Sequence, residues 1–168
     1  MIYVLNYEGK SLISRAIQAV TWSKFSHTAL CDKSGLTIEA WHHGGVEITE
    51  HPWVNHKPET PITVYAFDDN ADLDMIWFSM STLVGKKYDF RALLGFLPVL
   101  RYFWADSNSH WFCSHSVVEA CRMAFYDLFS LQTMLYKVSP GLIDMSPRLT
   151  RIGTVKDMVE FWKLVGDD

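Results

Sequence analysis

Two short apolar-rich runs, Ser26-His27-Thr28-Ala29-Leu30-Cys31 and Leu36-Thr37-Ile38-Glu39-Ala40-Trp41, flank the break Asp32-Lys33-Ser34-Gly35. Gly35 suits the left-handed position of a hairpin loop, so the two runs are expected to pair as antiparallel strands. The register of that pairing decides which side chains share a face, because strand side chains alternate with period two. An odd-length loop, Lys33-Ser34-Gly35 with Gly35 as a bulge, sets Ala29 opposite Glu39. His27 and Glu39 then become diagonal neighbours on one face. An even-length loop puts them on opposite faces, and the sequence admits both.

The rest of the chain supplies elements around this hairpin. Met1 to Tyr7 reads as a buried strand. Ser11 can cap a helix from Leu12 to about Trp22, with Ile13, Ala16, Ile17 and Val20 on one stripe. Gly44 to Thr49 reads as a third short strand, and Pro52, Pro58 and Pro61 mark an irregular connection to a strand at Ile62 to Phe67. Asp72 to Val84 is a helix by pattern, whereas the aromatic-rich segment Phe90 to Trp104 fits core or pocket wall. A helix follows from Cys113 to about Phe129. Ser139-Pro140-Gly141 and Ser146-Pro147 punctuate a loop, and Thr154 can cap a short final helix to about Leu164. With no repeat or linker, residues 1–168 are expected to form one α+β domain.

Composition narrows the function classes. A chain of 168 residues with 49% hydrophobic and 14% aromatic residues can bury a substantial core. A net charge of −4 with scattered Lys and Arg argues against a nucleic-acid footprint, which needs a concentrated basic face. The apolar stretch Leu93 to Trp104 is interrupted by Pro98 and Arg101 and is too short to span a bilayer. The start of the chain lacks a basic segment followed by an apolar run, which sets the expectation of a cytoplasmic protein. Phage-type release is the other route considered. No signal of oligomeric state is present.

Three cysteines, Cys31, Cys113 and Cys121, are too few for a disulfide framework. Cys31 ends an apolar strand and Cys121 lies within a helix, which suits buried structural thiols. Cys113 differs, because it falls where helical spacing begins. Unpaired backbone N–H groups and the helix dipole stabilise a thiolate there. Such a nucleophile needs a base, and the base an orienting group. Of the seven histidines, His42, His43, His51 and His56 belong to the polar, proline-marked stretch and read as solvated. His115 stands two residues from Cys113 on the same helix and points elsewhere, and the geometry of His110 is undetermined. His27, with Glu39 on the next strand, is the candidate base. Metal-ligand spacing such as Cys-x-x-Cys is absent, and Cys113 with His115, or His42-His43 with His51, is a weak start. No metal or cofactor is expected.

The series Ser26-His27-Thr28-Ala29-Leu30, Ile38-Glu39-Ala40, Gly85-Lys86-Lys87-Tyr88-Asp89-Phe90, Phe112-Cys113-Ser114 and Val138-Ser139-Pro140 resembles the permuted papain-like amidases. These are NlpC-related proteins of the YiiX-like or YebB-like kind, in which the His strand precedes the Cys helix. The resemblance spans about Ser11 to Pro140 and rests on order and spacing together. It implies a circularly permuted papain-like fold, a small antiparallel sheet or barrel packed against helices. It also implies Cys113 as nucleophile, His27 as general base and acid, and Glu39 as the orienting group. Tyr88 and Ser114 would line the substrate and oxyanion side, with the Cys113 N–H as a second oxyanion donor. His115 departs from the Glu usual after Cys-Ser in these relatives, which puts in doubt any role carried by that position.

The implied activity is a cysteine hydrolase cleaving amide bonds of a peptide-like substrate, cell-wall peptides by analogy. Two alternatives stand beside it. One keeps the triad for lipid acyl esters or amides, or for acyl transfer. The other is a catalytically idle binding domain on the same fold.

Overall fold

The computed structural model describes residues 1–41, 43–87, 112–129, 133 and 138–166. Six strands form one antiparallel sheet in the order β4-β3-β2-β1-β5-β6. They are β1 (Ile2–Tyr7), β2 (His27–Asp32), β3 (Thr37–Trp41), β4 (Gly45–Thr49), β5 (Ile62–Phe67) and β6 (Leu149–Val155). The helices are α1 (Leu12–Thr21), α2 (Leu73–Ser81), α3 (Cys113–Met123), α4 (Pro140–Ile143) and α5 (Met158–Gly166). This is the α+β architecture expected, with an open sheet.

Strand β1 lies between β2 and β5 and is buried along its whole length. Its apolar run Ile2 to Leu5 reflects burial of both faces. On one face Val4, Leu30, Ile38 and Ala40 pack with Ile76 and Met80 of α2 and with Val117, Val118 and Cys121 of α3. On the other, Tyr3, Leu5, Ala29 and Cys31 pack with Phe161 and Val165 of α5. The β2–β3 hairpin adopts the odd-loop register: Ala29 faces Glu39. Gly35 takes φ +100°, and the Asp32 carboxylate accepts from the Ser34 and Leu36 N–H groups, closing the turn.

The cap anticipated at Ser11 is present, its Oγ accepting from the Ser14 N–H at 3.0 Å, and α2 is capped by Asp72, which accepts from Met75 N–H. Three expectations are corrected. The helix from Cys113 ends at Met123 rather than near Phe129, because the chain turns through Ala124 into Phe125 at φ 56°. The punctuated stretch at Pro140 is a one-turn helix capped by Ser139. Thr154 caps nothing: it lies in β6, its hydroxyl 3.2 Å from that of Thr63 on β5, and Asp157 instead receives the Glu160 N–H at the start of α5. The Phe90–Trp104 segment lies outside the described residues.

Candidate active site

His27 opens β2 opposite Tyr7 of β1, and Glu39 lies one diagonal step away on β3. The hairpin register brings both side chains to one face, where His27 Nε2 and Glu39 Oε2 are 2.6 Å apart. Glu39 is wholly buried and His27 is 7% exposed. A carboxylate cannot remain charged there without donors, and three hydrogen bonds supply them. Asn55 Nδ2 donates to Oε1 at 2.9 Å, and His56 Nε2 shares Oε2 with His27 at 3.1 Å. Asn55 also donates to Glu47 Oε1 at 2.6 Å. It thereby bridges Glu39 to the glutamate directly opposite on β4, a like-charge pair that is otherwise unfavourable.

His56 corrects the sequence reading. It is one of the histidines taken as solvated, yet the turn over residues 51–58 folds it into the site. Trp53 anchors that turn: it is nearly buried, and its Nε1–H donates to the Thr60 carbonyl at 2.9 Å. The His56 ring stacks on Tyr7 with centroids 4.0 Å apart and planes 18° from parallel. Trp41 stands edge-on to both His27 and His56, at 5.4 and 4.9 Å. The signal available in the sequence was Trp53 followed by Asn55-His56 between prolines, a composition that also suits an exposed loop.

Cys113 is the first residue of α3 and is 3% exposed. Phe112, at the cap position, offers no side-chain acceptor, so the helix start is open to the sulfur. His27 and the backbone N–H groups of Thr28 and Ser114 lie beside the thiol and stabilise its charged form. With His27 Nε2 committed to Glu39, Nδ1 is the ring nitrogen left for the thiol. Buried polar contacts fix this junction from behind. Thr28 Oγ1 donates to Asn6 Oδ1 at 2.6 Å, and Asn6 Nδ2 donates to the Pro140 carbonyl at 2.9 Å. Ser114 Oγ donates to the Val138 carbonyl at 2.6 Å. The Ser114 hydroxyl thus holds the 138–140 segment, leaving its backbone N–H at the sulfur. Tyr88 lies outside the described residues.

The charge states follow from these contacts. Burial raises a thiol, but the charge of His27, its hydrogen bond and the two N–H donors outweigh it and hold Cys113 below its ordinary 9.0. Burial alone would lower His27; interaction with Cys113, then with Glu39, instead raises it from 6.5 to about 10. Burial opposes charge on Glu39 too, and the hydrogen bonds from His27 and His56 keep it far below the carboxylate range. Burial pushes His56 below 6.5, so it is a neutral ring donating Nε2–H. Cys31 and Cys121 are different: burial raises Cys31 to about 12 and Cys121 further, which leaves them inert thiols.

A pocket of about 270 Å³ opens beside His27, walled by Ile13 and Ile17 of α1, Trp41, Asn55 and His56. One ring nitrogen each of His27 and His56 and a Glu39 oxygen all lie within 4.8 Å of one another, a donor set of metal-binding type.

No family model and no curated protein matches the chain. A solved structure does: YiiX of Escherichia coli O157:H7, described as a metalloprotein, with TM-score 0.66 and 19% identity over 92% of this chain and 97% of that one. The fold is YiiX-like. At that identity the likeness establishes the fold and carries no chemistry. The YiiX-like fold is the one expected from the ordered motifs around His27, Glu39 and Cys113.

Proposed function

We propose that the chain is a cysteine hydrolase of the permuted papain-like type, cleaving an amide or ester through a thioacyl intermediate. The observation that supports it best is the thiol at the open start of α3, beside an imidazole that a buried carboxylate holds at 2.6 Å. Cys113 is the nucleophile, His27 the general acid and base, and Glu39, with Asn55 and His56 behind it, the positioning group. The Cys113 sulfur attacks the carbonyl carbon, and the oxyanion is held by backbone N–H donors at the helix start. His27 passes a proton to the leaving nitrogen or oxygen as its bond to carbon breaks. A water, deprotonated by His27, then attacks the thioester, and the thiolate departs. Peptide-like amides come first as substrates by analogy with NlpC relatives. Lipid acyl esters or amides are the alternative, and a muropeptide panel against acyl-lipids separates them.

The test is alkylation of Cys113 by iodoacetamide at pH 7. An activated thiolate reacts at least about tenfold faster than a model thiol. A rate no higher than that of the model thiol rejects the reading. It also leaves the idle binding domain as the account of the fold.

A second reading rests on the His27–Glu39–His56 donor set and on the description of YiiX as a metalloprotein. Two imidazole nitrogens and a carboxylate oxygen suit a zinc-type ion, which would polarise a carbonyl or activate water when bound. The fit is poor. Ligand atoms about 2.0–2.1 Å from a tetrahedral ion lie roughly 3.3 Å from each other, whereas the His27–Glu39 contact is 2.6 Å. An ion would have to open that pair. Stoichiometric zinc lost on His56→Ala would favour this reading over the first.

A further inference from the structure

We propose that α1, together with Trp22, seats the protein on the surface of an anionic lipid bilayer. The polar side of the helix faces the protein: Gln18 Nε2 donates to the carbonyls of Gly9 and Lys24 at 3.0 and 2.7 Å, and Ser14 abuts Gly9. Leu12 is 85% and Ile13 41% exposed beside exposed Ala16 and Ala19, while Ile17 and Val20 of the same apolar stripe are half-buried. No residue of α1 is buried, and none joins either hydrophobic core among the described residues. An amphipathic helix ordinarily gains its stability from burying that stripe.

Trp22 is a second, independent observation. It ends the helix at φ 51°, ψ 39°, a left-handed conformation that suits Gly or Asn and is unfavourable for a bulky side chain. There it projects an indole that is 96% exposed. Tryptophan is the residue that partitions to the headgroup layer, apolar by its rings and wet at its N–H.

Charge selects the occupant. Residues 9–31 hold Lys10, Arg15 and Lys24 and no Asp or Glu, in a chain whose net charge is −4. Lys24 is ion-paired with Glu8 at 2.6 Å, which leaves Lys10 and Arg15 as the cations for a bilayer. A cationic, apolar, Trp-bearing helix in an otherwise acidic protein complements an anionic bilayer better than a second copy of this chain. The placement has a consequence for the site. Lys10, Ile13 and Ile17 also line the pocket that reaches His27 and His56, so a docked α1 opens that pocket towards the membrane. Docking is independent of the hydrolase reading, because none of its residues is catalytic.

The experiment is co-sedimentation of the full chain, and of its Cys113→Ala variant, with vesicles of phosphatidylcholine and phosphatidylglycerol (3:1) or phosphatidylcholine alone. Both proteins are expected on the anionic vesicles, with at least about tenfold weaker binding to neutral ones and weaker binding in high salt. The variant Leu12→Ser/Trp22→Ser should lose about tenfold in affinity with an unchanged melting temperature, since both side chains are solvent-exposed. Failure to sediment with anionic vesicles, equal binding to both vesicle types, or undiminished binding by the double variant overturns the proposal. Concentration-dependent dimerisation through α1 without vesicle binding overturns it in favour of self-association. Loss of alkylation reactivity with binding intact would reject only the hydrolase.

Discussion

Glu39 has two oxygens and three donors, and the two imidazoles that share Oε2 carry different charges. His27 holds its proton to about pH 10, while burial keeps His56 neutral. The two rings therefore do different work: His27 exchanges protons with the thiol, and His56 fixes the carboxylate that faces it. Glu39→Gln removes the charge and keeps the shape. Alkylation of Cys113 at pH 7 should fall about tenfold, corresponding to roughly 1.4 kcal/mol of lost ion-pair stabilisation. The acid limb of its pH–rate profile should move upward. In the native protein that limb lies below 9, the thiol's ordinary value, and because alkylation needs only the thiolate, reactivity does not fall when His27 loses its proton at higher pH. His56→Phe keeps a ring against Tyr7 and deletes one donor to a buried anion. It should cost about 1–3 kcal/mol in urea unfolding, with a smaller effect on alkylation than Glu39→Gln.

At the scale of elements, the site is a junction between two packing layers. His27 and Glu39 belong to one face of the sheet, while α3 packs on the other, so Cys113 must meet His27 where β2 begins. Asn6 makes that meeting rigid. It links Thr28, whose N–H touches the sulfur, to Pro140 at the start of α4. Asn6→Ala leaves the Thr28 hydroxyl and the Pro140 carbonyl unpaired in a buried setting. It should lower stability by about 2–3 kcal/mol, read from urea midpoints at constant m-value. Gly35 and the period-two pattern made the hairpin legible in the sequence and reduced the His27–Glu39 relation to two registers. Contacts from β1 and β4 chose between them, and those are non-local. The turn carrying His56 was illegible because its burial depends on Tyr7 and Trp41, distant in sequence. Strand β6 was missed because Ser146-Pro147 and Thr154 imitate loop and cap signals. Its alternation is also blurred where the register shifts between Val64 and Tyr65 of its partner. The apolar stripe of α1 was visible, but its partial exposure, with Ile13 and Ile17 on the pocket wall and Leu12 outside, depends on tertiary contacts that no periodicity records.

For the whole molecule, the buried ion pair makes stability a function of pH, and the sign can be followed by counting protons. Glu39 is depressed from 4.5, so its contribution is present above that value and lost as pH falls below it. His27 is raised from 6.5 to about 10, so its contribution is complete below 6.5 and lost as pH rises towards 10. Cys113 is depressed from 9.0, so its contribution is present above 9 and lost as pH falls through its folded value. Where the folded species is thiolate–imidazolium, the pair binds one proton folded, on His27, and one unfolded, on Cys113, throughout pH 6.5–9. Equal proton counts give no slope there, so the pair contributes a plateau. Above 9 the unfolded thiol ionises while folded His27 keeps its proton, and stability falls. The buried Cys31 and Cys121 thiols, raised in the fold, add to that alkaline loss. Cys113→Ala removes the largest raising influence on His27 and leaves the raising effect of Glu39 against burial, which lowers it. The variant also has no Cys113 thiol to ionise in the unfolded chain, so the pair's share of the alkaline loss is gone. Urea unfolding of both proteins at half-unit steps from pH 7 to 10 reads this directly. From pH 9 to 10 the native curve should fall more steeply than the variant's. Parallel curves there would mean that Cys113 and His27 do not exchange charge in the folded protein, and the nucleophile assignment would fall with them.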